Sequence, residues 1–350
     1  MPPLRVAVDA RVIAEDTRGI GRYARAVLRR LAERADVQLT LLANPPFPQR
    51  YRAAYAAALG SDAFVVRARA SRDDDLIWHP ANGTFFTSSL PSVATIHDAV
   101  PFRYPDPDAK RRRHAQQPFL RSAQKAARVI AVSTFGRAEV HELLNVPIEN
   151  IAVIRHGVDP SFTPGTPEPL PAALKDRPFL LFVGDPIAEP RKNFPLLYEA
   201  YRRAWPDGEG PALAIAGSRA PELSGLIRLG PLADDMVAGG SHTLRACYRA
   251  ALALTLASYH ETFGMPMLEA MACGTPVVSS RASALPEIAG DAALYAPPDD
   301  ADAWAAALQR IVRDAPLRER LRTEGLRRAQ LFSWDESARQ HLTLFQSVAG

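Results

Sequence analysis

Two glutamates, Glu261 and Glu269, stand eight positions apart in the run YHETFGMPMLEAMACGTPVVSS, residues 259–280. Carboxylates accept hydrogen bonds from hydroxyls, so a converging pair can hold a polyol. On one continuous helix the two would be offset by roughly 80°, and would not converge. Gly264 tolerates a positive φ and Pro266 suits the first helical position, so the pattern is broken between them. We therefore expect Glu261 in a loop, Glu269 in the first turns of a helix ending near Cys273-Gly274, and a short buried strand over residues 277–279. A loop that runs into a helix start presents N–H groups and about half a positive charge, which favours a phosphate. Carboxylates beside such a start suit a sugar joined to a diphosphate. The plainer alternative is a capped helix with two surface glutamates.

Three further groups carry chemistry. Arg191-Lys192-Asn193 precedes a helical pattern over residues 194–204. Cations before a helix start oppose its dipole, so an anion must compensate, either a salt-bridged carboxylate or a bound phosphate. His97-Asp98 follows the apolar run 93–96, a place where open α/β sheets bind ligands or where an imidazole merely closes a turn. Lys110-Arg111-Arg112-Arg113 opens a helix that continues to about residue 127. It is either a solvated face or a contact for the phosphates of a lipid-linked acceptor or acidic headgroups. Asp73-Asp74-Asp75 has the D-x-D spacing of a metal motif but sits in a turn before the strand run 76–78, and we read it as a solvated turn. No catalytic metal or other cofactor is expected.

Holding these residues at strand ends requires sheets. Short apolar runs at 4–8, 37–42, 64–66, 76–78, 93–96, 129–132 and 151–154 alternate with helical patterns, as parallel strands covered on both faces do. A second series begins at 179–183 and continues through 212–216, 226–229 and 252–256. At 350 residues the chain is long enough for two such domains. The turn-rich stretch 163–171 reads as their linker. Gly19 and Gly21, in RGIGRY, form either a partial nucleotide fingerprint or a plain tight turn in a loop after the first strand.

The 42 Lys and Arg against 38 Asp and Glu give a net charge of +4, too balanced to argue for nucleic acid. Cys247 and Cys273 lie in apolar helical contexts without metal-ligand spacing, as in a reduced, cytoplasmic protein. The opening MPPLRVAVDARV is expected to be a first strand and not a signal peptide, and no apolar run approaches a membrane span.

The run HETFGMPMLEAMACGTPVV, with Ala284 to Ala293 after it, closely resembles the signature of retaining glycosyltransferases of family 4. GIGRY, TIHDAVPFRYPD and EPRKN resemble that family's other motifs, and the whole set is most similar to bacterial mannosyltransferases of O-antigen and exopolysaccharide assembly. The resemblance implies an α/β GT-B fold: two Rossmann-like domains facing each other across a cleft, with a final helix crossing back to the first. Domains are expected at 1–165 with 334–350, for the acceptor, and at 172–333, for the nucleotide sugar. By the same resemblance, Glu261 contacts the donor sugar, Glu269 the ribose, and Arg191 and Lys192 the diphosphate. Gly184, Gly264, Met265, Pro266 and Leu268 would line the donor site, His97 would lie beside the sugar, and Gly19 and Gly21 would face the cleft. Loops after 212–216 and 226–229 would enclose the base.

The function so implied is transfer of a hexose, mannose from GDP-mannose, to a saccharide or polyprenyl-diphosphate-linked acceptor. Peripheral contact with the inner face of the membrane would run through Lys110 to Arg113. A nucleotide-sugar isomerase of the same fold and a non-catalytic nucleotide-sugar-binding module are the alternatives.

Overall fold

The computed structural model describes residues 2–15, 19–83, 86–166, 168–232 and 244–350. Among these residues the chain divides into two compact units, Met1–Gly157 with Ser333–Gly350, and Val158–Phe332.

The first unit carries β1 (Leu4–Asp9), α1 (Arg11–Glu15), α2 (Gly19–Ala32), β2 (Val37–Leu42), α3 (Arg52–Leu59), β3 (Phe64–Arg67), β4 (Leu76–His79), β5 (Ser92–Ile96), α4 (Val100–Arg103), α5 (Ala109–Lys125), β6 (Arg128–Ala131), α6 (Thr134–Leu144) and β7 (Ile151–Val153). Its sheet runs β3-β2-β1-β4-β5-β6-β7, with every pairing parallel. Strands such as LIWH in β4 are buried along their whole length, which their near-continuous apolar runs require.

The second unit carries β8 (Phe179–Val183), α7 (Phe194–Ala204), β9 (Ala212–Ala216), β10 (Leu226–Gly230), α8 (Leu244–Ala250), β11 (Ala253–Leu256), α9 (Met265–Ala272), β12 (Val277–Ser280), α10 (Leu285–Ala289), β13 (Leu294–Ala296), α11 (Ala301–Arg313) and α12 (Ala315–Ala329). Its all-parallel sheet runs β10-β9-β8-β11-β12-β13.

Two expectations change. Gly19 and Gly21 are not in a loop but in the first turns of α2, and Gly21 is buried. The buried stripe of Tyr23, Val27, Leu28 and Leu31 outweighs the roughly 1 kcal/mol that a glycine costs a helix. The chain also passes between units at Gly157, before the expected linker. Residues 163–171 belong to the second unit because α8 holds them: Arg249 Nε donates to the Thr163 carbonyl at 2.7 Å, and Arg245 and Arg249 both pair with Glu168.

The final helix, α13 (Trp334–Ala349), packs on α2 in the first unit. Ser333 caps its start, and Arg30 of α2 pairs with Asp335. A Cβ on Gly157 would fall 2.2 Å from the Trp334 nitrogen, so only glycine lets the backbone pass there. Beneath α13, Trp78 Nε1 donates to Thr95 Oγ1 at 3.0 Å, and Tyr23 bonds Thr95 Oγ1 at 3.0 Å and His341 Nε2 at 2.5 Å. His341 Nδ1 lies 2.7 Å from the Ser337 carbonyl, which can only accept. Nδ1 therefore carries the proton and Nε2 takes the Tyr23 hydroxyl, an arrangement that needs a neutral ring.

Burial pushes His341 down to about 4, a neighbouring His97 acting in the same direction and the Ser337 carbonyl against it. Burial, with His97, His341 and Arg22, drives His156 well below its ordinary value too. Depressed histidines stabilise the fold above the unfolded-state value near 6.5 and lose that contribution as the pH falls toward the folded value. Stability should drop by about 1.4 kcal/mol per pH unit through His341 between roughly pH 6.5 and 4, with His156 acting in the same direction. Denaturation across this range should show the slope, and His341→Gln should remove one proton's share of it. An unchanged slope in the variant would contradict the neutral-ring assignment.

Candidate active site

In the second sheet the winding reverses between β8 and β11, since β9 and β10 lie on one side of β8 and β11 to β13 on the other. Loops leaving the strands at such a switch point diverge and open a crevice at the strands' carboxyl ends. Gly184, Arg191 and Lys192 come from the loop after β8, and Glu261 from the loop after β11.

Lys192 ends a single tight turn, Pro190–Lys192, and Asn193 follows with φ 55°. That left-handed residue is held by its own amide, which donates to the carbonyls of Ala257 at 3.1 Å and Pro298 at 2.7 Å. The turn so anchored sets the buried Lys192 Nζ 3.2 Å from Glu261 Oε1. Ser258 Oγ donates to the same oxygen at 3.1 Å, and Arg191 Nη1 reaches Oε2 at 3.3 Å. Arg191 Nη2 donates to Glu189 Oε1 at 2.8 Å, which fixes the guanidinium from its other side. Burial alone would raise the Glu261 carboxyl. Lys192 and Arg191 outweigh it and hold the group below its ordinary value, ionised at neutral pH. The anion that the cations before α7 demand is thus a buried carboxylate.

Gly184 has φ 142°, and a Cβ there would lie 2.4 Å from Lys192 Cδ. The lysine stem crosses the glycine face. Asp185, next in the chain, accepts from the Ile187 and Ala188 amides, from Ser218 Oγ at 2.7 Å and from Arg219 Nε at 2.9 Å. It folds the loop and ties it to the end of β9.

Glu269 lies on α9, as expected, and Glu261 in the preceding loop. Gly264 is the N-cap, with φ 92°, and a Cβ there would sit 2.8 Å from Leu285 Cδ2, which would have to shift. Met265, not Pro266, is the first helical residue, and proline at the second position is equally free of an intrahelical amide bond. Leu268 is wholly buried. Glu269 is 2% exposed, and its Oε2 accepts the Tyr248 hydroxyl at 3.0 Å. Cys247 and Cys273 are both buried. The loop expected to enclose the base after β10 falls partly on residues 233–243, outside the described residues.

His97 belongs to the first unit, at the end of β5. Its Nε2 donates to the Pro80 carbonyl at 2.8 Å, and its backbone amide to Asn82 Oδ1 at 2.7 Å. At that sheet's own switch point, between β1 and β4, sequence reasoning missed a buried group. Asp9 Oδ2 accepts from Arg11 Nη2 at 2.7 Å and lies 4.0 Å from His79 Nδ1. Burial acts to raise the Asp9 carboxyl, but His79 and Arg11 prevail and lower it. The Asp73–Asp75 turn is not the solvated turn expected from the sequence. Asp74 is buried, accepting from Thr40 Oγ1, and Asp75 pairs with Arg5. Among the described residues no group of three His, Cys, Asp or Glu is placed to hold a metal ion.

Residues 17–162 match the family described as Glycosyltransferase Family 4, and residues 171–328 the family described as Glycosyl transferases group 1. O-antigen chain mannosyltransferase B of Escherichia coli is 32% identical over 305 residues, covering 80% of this chain and 77% of that protein. This chain belongs to the family 4 glycosyltransferases. Another E. coli protein, serotype-specific mannosyltransferase WbdA, is 28% identical over 299 residues, which take in 75% of this chain but 35% of that one. Among solved structures, Anabaena HepE in complex with UDP and glucose has a TM-score of 0.70 at 16% identity, over 98% of this chain and 99% of that one. That likeness is one of fold. With two parallel Rossmann-like sheets, the architecture is the α/β GT-B type that the sequence implied.

Gly184→Ala should cost about 1–3 kcal/mol through backbone strain and collision with the Lys192 stem. Adding Lys192→Ala removes the collision, so thermal denaturation should find the double variant less destabilised than the sum of the singles. Strict additivity would show that the lysine stem does not impose the glycine.

Proposed function

We propose that this family 4 glycosyltransferase is a retaining hexosyltransferase that moves mannose from GDP-mannose to a saccharide or lipid-linked saccharide. The observation that carries the reading is the Lys192–Glu261–Arg191 cluster at the β8/β11 strand ends, whose Glu261 sits in the loop that leads into α9. Departure of a nucleoside diphosphate develops negative charge. Two cations and a helix start fixed before the reaction stabilise it without reorganising. Glu261 then takes the hydroxyls of the sugar, Met265 and Gly264 offer backbone N–H groups, and Glu269 holds the ribose. His97 serves the sugar, and the rest of the first unit the acceptor.

The mannosyltransferase relatives support mannose, while the UDP bound in Anabaena HepE marks the alternative donor class. An isomerase or a non-catalytic binder of the same fold would turn over, or hold, the donor with no acceptor present.

A thermal-shift comparison of GDP-mannose, UDP-glucose and UDP-N-acetylglucosamine tests the donor. Stabilisation by GDP-mannose is expected, and stabilisation by a UDP-sugar alone would reject it. EDTA should leave turnover unchanged.

Contact with an anionic membrane surface is the second part of the proposal, and helix geometry refines it. At about 100° per residue, Lys110, Arg113, Arg121 and Lys125 fall on one face of α5, and all four are exposed. Arg112 turns away, donating to the Asp106 and Pro107 carbonyls. No helix among the described residues is long and apolar enough to cross a membrane. Each cation near an anionic surface contributes about 1 kcal/mol, screened beyond about 8 Å at physiological salt. The parent protein should sediment with anionic liposomes at low salt, and Arg113→Ala/Arg121→Ala/Lys125→Ala should not. Equal sedimentation of the two, or none by the parent, would leave α5 as a solvated face.

A further inference from the structure

We infer that Tyr248 is a positioning residue for the nucleoside end of the donor site, because its hydroxyl fixes the orientation of the Glu269 carboxylate. The inference rests on the proposed reading that Glu269 holds the ribose. Tyr248 lies on α8, wholly buried, 21 positions before Glu269 on α9. Its hydroxyl donates to Glu269 Oε2 at 3.0 Å. Two contacts fix the ring and its backbone. Thr275 Oγ1 donates to the Tyr248 carbonyl at 2.6 Å, and the ring meets Phe162 edge-on, with centroids 5.9 Å apart.

Chemistry gives this contact more than a packing role. A phenylalanine would fill the same space without burying a hydroxyl, whose desolvation must be offset by a partner. A carboxylate rotates about its last bond with little resistance, and its plane is set by whatever donors it meets. One donor on Oε2 therefore decides which way the other lone pairs face. A vicinal diol is recognised by two directed hydrogen bonds, so a carboxylate free to rotate loses discrimination more than it loses general affinity.

The decisive comparison is between a ribonucleoside diphosphate and its 2′,3′-dideoxy counterpart. Dissociation constants for GDP and dideoxy-GDP, and for UDP and dideoxy-UDP, are measured by calorimetry on the parent, Tyr248→Phe, Glu269→Ala and the double variant. The parent should prefer the ribo form. Tyr248→Phe should shrink that preference about tenfold, as loss of one hydrogen bond to a charged group implies, and should scarcely alter dideoxy affinity. The double variant should discriminate no less than Glu269→Ala alone. A general loosening of α8 would weaken both nucleotide forms alike, leaving the ratio intact, and would overturn the role of Tyr248. So would a ratio lost in Glu269→Ala but kept in Tyr248→Phe. A parent without ribo preference, or a Glu269→Ala variant that keeps it, would instead sink the ribose reading and this inference with it.

Discussion

The structure of the second unit turns on one buried ion pair, Lys192 with Glu261. Two charges removed from water cost several kcal/mol each, and their attraction offsets that only where geometry and further hydrogen bonds are good. Here Arg191 and Ser258 supply the further bonds, and Asn193 and Gly184 supply the geometry. A pair that stabilises so little on balance is poor stability engineering. On the proposed reading it is a prepared charge site, in which the two cations of the loop after β8 are fixed before any anionic ligand arrives.

The same economy explains the neighbouring residues. Gly184 has no side chain because the lysine stem crosses it, and Gly217 has none because a Cβ would lie 1.9 Å from the Gly184 carbonyl oxygen. Gly264 begins α9 at a φ that other residues rarely adopt. Gly184 and Gly217 are thus consequences of bringing a cation and backbone close to one point. In the first unit a different constraint dominates. Tyr23, Thr95 and His341 form a hydrogen-bonded chain that binds α13 to the sheet and works only with a neutral imidazole.

Much of this was legible in the sequence where the chemistry is local. The division of Glu261 and Glu269 between loop and helix followed from Gly264 and Pro266, and the long strands followed from apolar runs bounded by turn formers. The Ala-rich α3, the five-residue α10 and the three-residue β13 were not legible, being too short or too evenly apolar for a period to show. Gly19 and Gly21 looked like a loop because propensity was weighed without the buried stripe that follows them. Residues 163–171 looked like a linker, since composition does not reveal that Glu168 meets two arginines more than 70 positions away. Tyr248, Ser258, Glu189 and the Asp9–His79 pair were missed for the same reason: tertiary packing, and not spacing, joins them to their partners.

The central claim is that the cations paired with Glu261 are where a donor's diphosphate sits. The most direct measurement is the anomalous sulfur signal in crystals of the protein with guanosine or uridine 5′-O-(2-thiodiphosphate). The account expects the sulfur-bearing β-phosphate within about 3–4 Å of Lys192 Nζ and the Arg191 guanidinium, with Glu261 turned toward the sugar side. A nucleotide bound with its diphosphate away from both cations, and the Lys192–Glu261 pair undisturbed, would contradict it.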